Sequence, residues 1–442
     1  MFTNIELKNY KSLVDINVNF TDSKKQPKKL VLLYGENGGG KSNLVSAFST
    51  LIDMIKTLEV REFIASVVEE MNEEVNIERI KLLQKLRNNY RDLETIIQQT
   101  HTCNSEENMV LKYSFNIDGK EGYYYIETDN DSIVKEELYY VINKNKGYHF
   151  QITKDKSILN PNIFKNKIYN EELYDKIEKF WGKHTFLSII NYELVEKNKS
   201  YVHERLSPRF LEVFKFFSNF CFRVNEGTTN IRIRSGIEYN VLDELLEGQI
   251  SSTKEYLLKI SERFLNQFFT QLYADIKNVY YVKKKDEENI KYDLWCKKLI
   301  GNKIRDIKFR NESTGTLQLL ELIPLILASI GGNVAIIDEF DTGIHDLLVT
   351  NIVTALNDSI DGQLIMTTHN TLLMENQIPK DSLYFIVTDS DGNKEIPCLT
   401  DYERRTYPRN NIRDLYLKGM YEGIPSMMDI DFEDILETMK DN

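Results

Sequence analysis

One eight-residue run near the start of the chain constrains its fold more than any other feature. It matches the pattern G-x-x-x-x-G-K-[ST] of a phosphate-binding P-loop and reads Gly35-Glu36-Asn37-Gly38-Gly39-Gly40-Lys41-Ser42. A short apolar stretch, Leu30–Tyr34, precedes the run, and a helix-like stretch begins at Asn43 after it. Strand, glycine loop and helix N-terminus together point backbone N–H groups and the helix dipole at a bound anion. The sequence therefore predicts a nucleotide site on an α/β fold.

The two polar residues that end the loop have separate predicted roles. Lys41 is expected to reach the β- and γ-phosphates of ATP, and the Ser42 hydroxyl to bind Mg²⁺. The glycines let the backbone approach the phosphates and adopt positive φ, and Asn43 completes the predicted nucleotide contacts. The alternative is a chance glycine turn before a helix, which the eight-residue match and the correct flanks argue against.

Composition and charge exclude several classes of protein. The formal net charge of −12 argues against a general polyanion binder, although a local basic face is still allowed. The four cysteines are scattered and form no C-x-x-C pair, which argues against a zinc site or a disulfide framework. We find neither a secretory leader nor 18 continuous apolar residues, so we expect a cytoplasmic protein with no membrane partner.

A second candidate site lies about three hundred residues after the P-loop. Four apolar residues, 334–337, end in Asp338 and Glu339, as in a Walker B strand that is buried in a parallel sheet. Asp338 is expected to hold Mg²⁺, and Glu339 to polarise the attacking water. An ordinary strand that ends in an acidic turn is the alternative, and the upstream P-loop makes it the weaker one.

Two further segments are predicted to join this site. The strand 364–368 ends at His369, which we place beside the γ-phosphate at the carboxyl edge of the sheet; a plain loop histidine is the alternative. Ser313 and Gly315 precede the most apolar helix of the chain. The backbone N–H groups at the start of that helix are again available to an anion. Taken alone, this second segment is more simply a helix N-cap.

The pattern along the chain predicts four parts. They are residues 1–58, an N-terminal half of the nucleotide-binding core; 59–142, a helical arm and β-hairpin region; 143–275, a helical insertion; and 276–442, the C-terminal half of the core. Period-two alternation from 2 to 20 predicts two strands, and Asp118-Gly119 predicts a hairpin whose loop is lengthened by Lys120 to Gly122. The pattern also predicts that residues 155–270 are mostly helical. Helix and strand alternate after residue 311, with a helix at 371–376 and a strand at 383–388 among the predicted elements. This alternation predicts a parallel sheet with helices on both faces that also contains the P-loop strand.

The order of these motifs resembles the ATP-binding-cassette (ABC) class of ATPases. The start Ile5-Glu6-Leu7-Lys8-Asn9-Tyr10-Lys11-Ser12 and the Gly35-Glu36-Asn37-Gly38 form of the loop resemble its soluble SMC, RecF and OLD (overcoming lysogenisation defect) branch. Three further segments are similar to OLD-like ATPases of prokaryotic anti-phage and abortive-infection systems: Asp338 to His345, Thr367 to Asn370, and Asn410 to Gly419. The resemblance covers about residues 1–55 and 276–420.

The resemblance implies an ABC-type ATPase core: a mixed, mainly parallel sheet, antiparallel N-terminal strands and a helical insertion lobe. It also implies that ATP lies between two copies of the chain, with Ser313 and Gly315 as the signature motif, Asp341 in the D-loop and His369 as the switch histidine. The signature reads Glu-Ser-Thr-Gly-Thr rather than Leu-Ser-Gly-Gly-Gln, and no glutamine is assigned to the Q-loop. About fifty residues follow residue 390, so we expect no fused Toprim nuclease and a separate effector such as a Toprim-type nuclease instead.

Three functions follow as hypotheses. The first is an ATP-hydrolysing sensor in antiviral defence that controls that effector. The second is a DNA-maintenance ATPase that clamps DNA through a basic groove, with candidates Lys283, Lys284, Lys285, Arg404, Arg405, Arg409 and Arg413. The third, a scaffold locked by nucleotide, has no need of a water-polarising carboxylate at Glu339.

Overall fold

The computed structural model describes residues 1–71, 91–197, 199–226, 230–234, 242, 244–286, 288–375, 378–405, 411–424 and 432. The strands are β1 (Phe2–Tyr10), β2 (Leu13–Asn19), β3 (Leu30–Tyr34), β4 (Met109–Ile117), β5 (Lys120–Thr128), β6 (Ile133–Val141), β7 (Lys146–Thr153), β8 (Ser157–Leu159), β9 (Cys221–Glu226), β10 (Asn230–Arg234), β11 (Glu247–Ser251), β12 (Ile276–Lys285), β13 (Asn289–Ile300), β14 (Lys303–Lys308), β15 (Val334–Ile337), β16 (Gln363–Thr367), β17 (Leu383–Phe385), β18 (Val387–Thr388) and β19 (Lys394–Glu395).

The helices are distributed among these strands along the chain. They are α1 (Lys41–Met71), α2 (Leu93–Thr100), α3 (Lys167–Phe180), α4 (Phe186–Glu196), α5 (Lys199–His203), α6 (Pro208–Asn219), α7 (Glu255–Leu272), α8 (Thr314–Ile330), α9 (Asp346–Asn357) and α10 (Ile412–Leu417). Short 3-10 helices span Ser252–Lys254, Phe309–Asn311, Thr371–Met374, Lys380–Ser382 and Leu399–Arg405. Within the described residues, no helix combines the length and the apolar character needed to cross a bilayer.

A core sheet holds both halves of the predicted nucleotide site. Its strand order is β10-β9-β15-β16-β3-β17, and β9, β15, β16, β3 and β17 run parallel to one another. The P-loop strand β3 and the Walker B strand β15 both pair with β16, so their carboxyl ends lie at the same edge. The expectation that the two halves of the chain share one parallel sheet is confirmed.

Alternation along the core strands sends side chains to two separate cores. On one face, Val31, Leu33 and Ile336 pack with α1 and with the seven-stranded antiparallel sheet β2-β1-β4-β5-β6-β7-β8. On the other face, Leu32 and Ile337 pack with the buried face of α8. The core sheet is therefore covered on both faces, as a parallel sheet requires, and the predicted α/β fold class is confirmed.

The turn between β4 and β5 is shorter than the sequence predicts. Ile117 pairs directly with Lys120, which leaves Asp118 and Gly119 as a two-residue turn with φ of 48° and 79°. Both residues have the positive φ of a type I′ turn, whose twist matches that of the flanking strands. Gly122 already lies in β5, so the prediction that residues 120–122 lengthen the loop is wrong.

The region 155–270 is less helical than the sequence predicts. Helices α3 to α6 do form a helical segment between β8 and β9. However, β9 belongs to the core sheet, beside the Walker B strand, and β10 extends that sheet at its edge. Short strands carry a weak periodic signal, and the apolar-polar alternation of 221–226 is what could have revealed β9.

Two of the elements predicted after residue 311 differ from the structure. The predicted helix at 371–376 is a single 3-10 turn, Thr371–Met374, and the predicted strand at 383–388 is split into β17 and β18. In the predicted helical arm, Leu93, Ile96 and Ile97 form the buried face of α2. Leu82, Leu83, Leu86 and Tyr90 of that arm lie outside the described residues. The division of the chain into four parts stays a prediction.

Candidate nucleotide site

The P-loop forms the expected turn between β3 and α1. Gly38 and Gly40 have φ of 81° and 109°, and a Cβ atom on Gly40 would lie 3.2 Å from Leu13 Cδ2. Glycine is therefore needed at position 40 for both backbone and space. Gly35, Glu36, Asn37 and Gly39 complete the loop. Because α1 begins at Lys41, the unpaired N–H groups of its first turn open into this loop.

Lys41 is folded back onto the loop it follows. Its Nζ donates to the carbonyl oxygens of Gly35, at 2.8 Å, and of Glu36, at 2.9 Å. The side chain is buried, and this burial lowers the pKa of Lys41, while the carboxylates of Asp338 and Glu339 oppose the shift. A buried ammonium held by two neutral carbonyls gains a charged partner when a phosphate binds.

Asp338 is poised as a metal ligand. It directly follows β15, it is fully buried, and its Oδ1 accepts a hydrogen bond of 2.8 Å from Thr367 Oγ1. Its Oδ2 is buried and has no hydrogen-bond partner of normal geometry among the described residues. Burial raises the pKa of Asp338, and the hydroxyls of Thr367 and Ser42 oppose that shift. A buried carboxylate oxygen beside a serine hydroxyl suits Mg²⁺, which takes its other ligands from phosphates and water.

Glu339 occupies a strained turn at the end of the strand. Its φ is 50°, in the left-handed region that non-glycine residues seldom adopt. Thr367 Oγ1 accepts from its backbone N–H at 2.7 Å, and its Oε2 accepts from Thr342 Oγ1 at 3.0 Å. Strain of this kind persists where the surroundings fix the backbone, and here Thr367 fixes both acidic residues.

Asp341 and His369 are joined through the backbone. Oδ2 of Asp341 accepts from His369 N–H at 2.8 Å and from Thr368 Oγ1 at 3.0 Å. Burial, and then the Lys41 ammonium, lower the pKa of the His369 imidazole, while Asp341 and Glu339 raise it. His369 therefore lies close enough to the P-loop lysine and the acidic pair to feel their charges.

Three residues that the sequence did not single out also reach the site. Asn225, at the end of β9, donates from Nδ2 to Glu339 Oε2 at 2.8 Å. Arg223, on the same strand, is buried and donates to the Asp338 carbonyl oxygen at 3.0 Å. Lys394 Nζ donates to Ser12 Oγ at 2.7 Å and approaches the Gly38 carbonyl oxygen. Reading β9 as a helix hid the first two residues, and Lys394 carried no local signal.

Asn225 matters because no glutamine was assigned to the Q-loop. A cavity lined by Ser42, Asn43, Asn225 and Glu339 opens beside the P-loop, which places the Asn225 amide next to the predicted magnesium site. Asn43 itself donates from Nδ2 to Ser12 Oγ at 2.7 Å, so its side chain fixes the turn between β1 and β2.

The predicted signature residues lie at the start of α8. Ser313 is the exposed N-cap of this helix, and its Oγ accepts from Thr316 N–H at 3.2 Å. Gly315 packs against the loop that follows Glu339, because a Cβ atom on it would lie 2.2 Å from the Gly343 carbonyl oxygen. The hydrogen bonds of Ser313 stay within its own helix, so it is not part of the Lys41–Asp338 cluster.

The sequence of the chain matches a known protein family. The family profile described as "AAA domain, putative AbiEii toxin, Type IV TA system" matches residues 30–375. The chain belongs to this family. The matched span contains the P-loop, the Walker B strand and His369, so the clustered residues all lie inside the family domain. No curated protein sequence matches the chain significantly.

The solved structures that are similar to the chain include heads of SMC proteins. The SMC head bound to the C-winged helix domain of ScpA has a TM-score of 0.45 at 14% identity and covers 91% of this chain and 99% of its own. The SMC head domain from Thermotoga maritima has a TM-score of 0.38 at 13% identity, with 90% and 98% covered. The recombination mediator protein RecF-ATPrS of the RecFOR pathway has a TM-score of 0.34 at 12% identity, with 90% and 98% covered.

Proposed function

We propose that this AAA-family chain is an ABC-class ATPase that hydrolyses ATP at the Lys41–Asp338 cluster. The observation that carries the proposal is the convergence of the P-loop and the acidic pair at one edge of the core sheet. Lys41, Asp338 and Glu339 interact electrostatically there, although about three hundred residues separate the lysine from the two acids. A glycine loop, a lysine, a free carboxylate oxygen and a second carboxylate together suit a magnesium-bound nucleoside triphosphate.

Each residue of the cluster has a separate task. Lys41 leaves the carbonyl oxygens of Gly35 and Glu36 for the β- and γ-phosphates, while the N–H groups at the start of α1 surround the same phosphates. Ser42 and Asp338 Oδ2 would hold Mg²⁺, which supplies charge neutralisation when it is bound. Glu339, held at Oε2 by Asn225 and Thr342, is left with Oε1 to accept a proton from the attacking water.

The signature residues belong to the site of a second copy in this proposal. Ser313 is exposed at a helix N-terminus and makes its hydrogen bonds within α8, so its position allows it to face a γ-phosphate held by a partner chain. Gly315 and Gly343 touch, which connects the signature helix to the loop carrying Asp341. Two copies would then enclose two ATP molecules, and His369 would respond to the γ-phosphate through its link to Asp341.

A radiolabelled-ATP assay of the purified chain tests the activity. We expect phosphate release by the wild type and neither ATP binding nor turnover by Lys41→Ala. The matched control is Lys24→Ala, in an exposed turn, which should behave as the wild type. Equal turnover by Lys41→Ala and the wild type would show that the activity does not arise at the P-loop.

We further propose that the ATPase acts as a sensor in prokaryotic antiviral defence and controls a separate effector protein. The family description, which names an AbiEii toxin and a type IV toxin–antitoxin system, supports a role of this kind. Phage challenge of cells carrying the chain and its neighbouring genes tests the role. Protection should disappear with Lys41→Ala and persist with Lys24→Ala. A pull-down from the same cells should recover the effector, and recovery of none would contradict the control step.

A DNA clamp is the second candidate, and one feature of the β11–β14 sheet favours it. Lys284 and Lys291 are exposed and lie directly opposite each other on β12 and β13, an arrangement that is unfavourable without a nearby anion. Arg413 does not contribute a free charge, because it is paired with Glu375 at 2.9 Å. Arg409 lies outside the described residues. DNA affinity that falls steeply with salt and depends on Lys284 would support the clamp.

A further inference from the structure

A second cavity lies on the core away from the P-loop. It has a volume of about 330 Å³ and is bounded by α1 on one side and by the β9–β10 hairpin on the other. Asp53 and Lys56 face it from α1, and Arg232 and Arg234 face it from β10. Asp53 lies eleven positions after Ser42 on α1, or about 16 Å along the helix axis. The two cavities are therefore distinct, although Arg91 lines both of them.

The lining of this cavity is strongly positive. Among the described lining residues, one carboxylate, Asp53, accompanies four cations: Lys56, Arg91, Arg232 and Arg234. That carboxylate is already engaged, because both terminal nitrogens of Arg232 donate to its two oxygens. Glu59 lies near enough to attract Lys56, but its Oε2 accepts from Asn191 Nδ2 at 2.7 Å. Among the described residues that line the cavity, positive side chains therefore outnumber negative ones.

Two of these cations carry the argument. Arg234 donates from Nη2 to the Ser218 carbonyl oxygen, whereas its Nη1 is buried and has no hydrogen-bond partner within the described part of the chain. Lys56 forms no salt bridge among the same residues. Burial lowers the pKa of both side chains, and the charge of Arg234 lowers the pKa of Lys56 further. Charges held this way destabilise a fold unless an anion compensates them.

We propose that this cavity is a binding site for a phosphate-bearing ligand, separate from the ATP site. Guanidinium groups offer paired N–H donors that match phosphate oxygens, and Arg232 is held in place by Asp53 and by the face of Phe222, 5.7 Å away. The volume lies at the lower end of the range for small-molecule sites, so it exceeds the need of one phosphate and suits a pyrophosphate or a mononucleotide.

Two of the elements that line the cavity also reach the ATP site. β9 contributes Phe222 to the cavity wall and, three residues later, Asn225 to Glu339. α1 contributes Lys56 to the wall and begins with Lys41 in the P-loop. The wall thus includes the helix that begins at the P-loop lysine and the strand that carries Asn225. The binding proposal itself stands whether or not the chain hydrolyses ATP.

Titration calorimetry on the full chain carrying Lys41→Ala tests the proposal, because this background removes phosphate binding at the P-loop. The probes are pyrophosphate, ADP and a short single-stranded DNA oligonucleotide. We expect at least one probe to bind. We expect the added pair Lys56→Gln and Arg234→Gln to weaken that binding at least about tenfold, since each removes a charged hydrogen bond. The matched control pair, Lys297→Gln and Arg305→Gln, changes two exposed cations and should have no effect.

The three probes also separate the sources of phosphate. Binding of pyrophosphate or ADP that depends on Lys56 and Arg234 identifies a small phosphorylated ligand. The same dependence for the oligonucleotide alone identifies a nucleic-acid phosphate at the same site. Binding of no probe, or binding that is unchanged by the cavity pair while circular dichroism shows an intact fold, overturns the proposal.

Discussion

The side-chain amide of Asn225 donates a hydrogen bond of 2.8 Å to Oε2 of Glu339, from a strand 114 residues earlier in the chain. Thr342 Oγ1 donates to the same oxygen at 3.0 Å. Within the described part of the chain both of these hydrogen bonds reach Oε2, which leaves Oε1 as the oxygen that can face a water. This arrangement makes Asn225 a positioning residue for the proposed general base.

Asn225→Ala is expected to lower kcat about tenfold or more, because a hydrogen bond to a charged group is removed. KM should change less than twofold, since the P-loop contacts stay intact. Steady-state ATPase assays measure kcat and KM, and the melting temperature shows whether the fold is intact. The control is Asn143→Ala, in an exposed turn between β6 and β7. A rise in KM with kcat unchanged would assign Asn225 to binding rather than to positioning.

Glu339→Gln should bind ATP with nearly the wild-type affinity and hydrolyse it at least about 10²-fold more slowly, because a positioned base contributes about that factor. The glutamine keeps the size of the side chain and an acceptor oxygen for Asn225. Single-turnover hydrolysis, together with equilibrium binding of a fluorescent ATP analogue, makes the measurement. Glu171→Gln, on the exposed face of α3, is the control. Turnover by Glu339→Gln at the wild-type rate would remove Glu339 from the chemistry.

Gly315→Ala tests the contact between the signature helix and the loop after Glu339. The added Cβ atom would lie 2.2 Å from the Gly343 carbonyl oxygen, so one of the two segments must shift. We expect a loss of about 1–3 kcal/mol in the free energy of unfolding, as for other overpacked sites. Urea denaturation measures it, with Thr314→Ala, at the exposed neighbouring position, as the control. An unchanged midpoint would mean that the contact is easily relaxed.

The sequence predicted the parts of the site that combine a fixed spacing with a strand. Each of these parts directly follows a buried parallel strand: the P-loop follows β3, the pair Asp338 and Glu339 follows β15, and His369 comes just after β16. Parallel strands align their carboxyl ends at one edge of the sheet. Asn225 and Arg223 were missed because β9 is six residues long and lies between a helical region and residues that precede β11. The alternation of so short a strand is a weak signal, and its pairing with β15 joins residues that are far apart in the sequence.

The cavity between α1 and β10 was missed for a related reason. Arg232 and Arg234 lie two residues apart, but Lys56 comes far earlier in the chain, so no charge cluster in the sequence contains all three. Pairing of β10 with β9 places Arg232 and Arg234 on one face, and the packing of α1 against β9 brings Lys56 to them. Long-range pairing therefore creates the positive charge density there.

His149 gives the fold a defined sensitivity to acid. It is fully buried in β7, with Nε2 against the Val141 carbonyl oxygen and Nδ1 without a partner among the described residues. Burial lowers the pKa of His149 to about 4, from about 6.5 in an unfolded chain. Between these values the unfolded state binds the extra proton, so stability falls as the pH drops, by up to about 3 kcal/mol.

Comparison with His149→Gln isolates this effect from other titrating groups. His184, with its pKa lowered to about 4, acts in the same direction, and Glu136, with its pKa raised to about 7, acts in the opposite one. Urea unfolding at pH 7 and pH 4.5 should show a smaller loss of stability for His149→Gln than for the wild type. His203→Gln, at an exposed position, should lose as much as the wild type. Parallel curves for His149→Gln and the wild type would contradict the assignment.

Ser313→Arg tests whether a second copy completes the ATP site. Ser313 is exposed and lies outside the Lys41–Asp338 cluster, so an arginine there leaves the P-loop of its own chain unchanged. We expect normal ATP binding, no ATP-dependent dimer and strongly reduced turnover, because the bulky cation blocks the approach of the partner. Sedimentation velocity with Glu339→Gln in the background keeps ATP bound during the measurement. Ser359→Arg, which adds the same charge after α9, should dimerise normally. An undiminished ATP-dependent dimer of Ser313→Arg would exclude the arrangement in which two copies enclose the nucleotide.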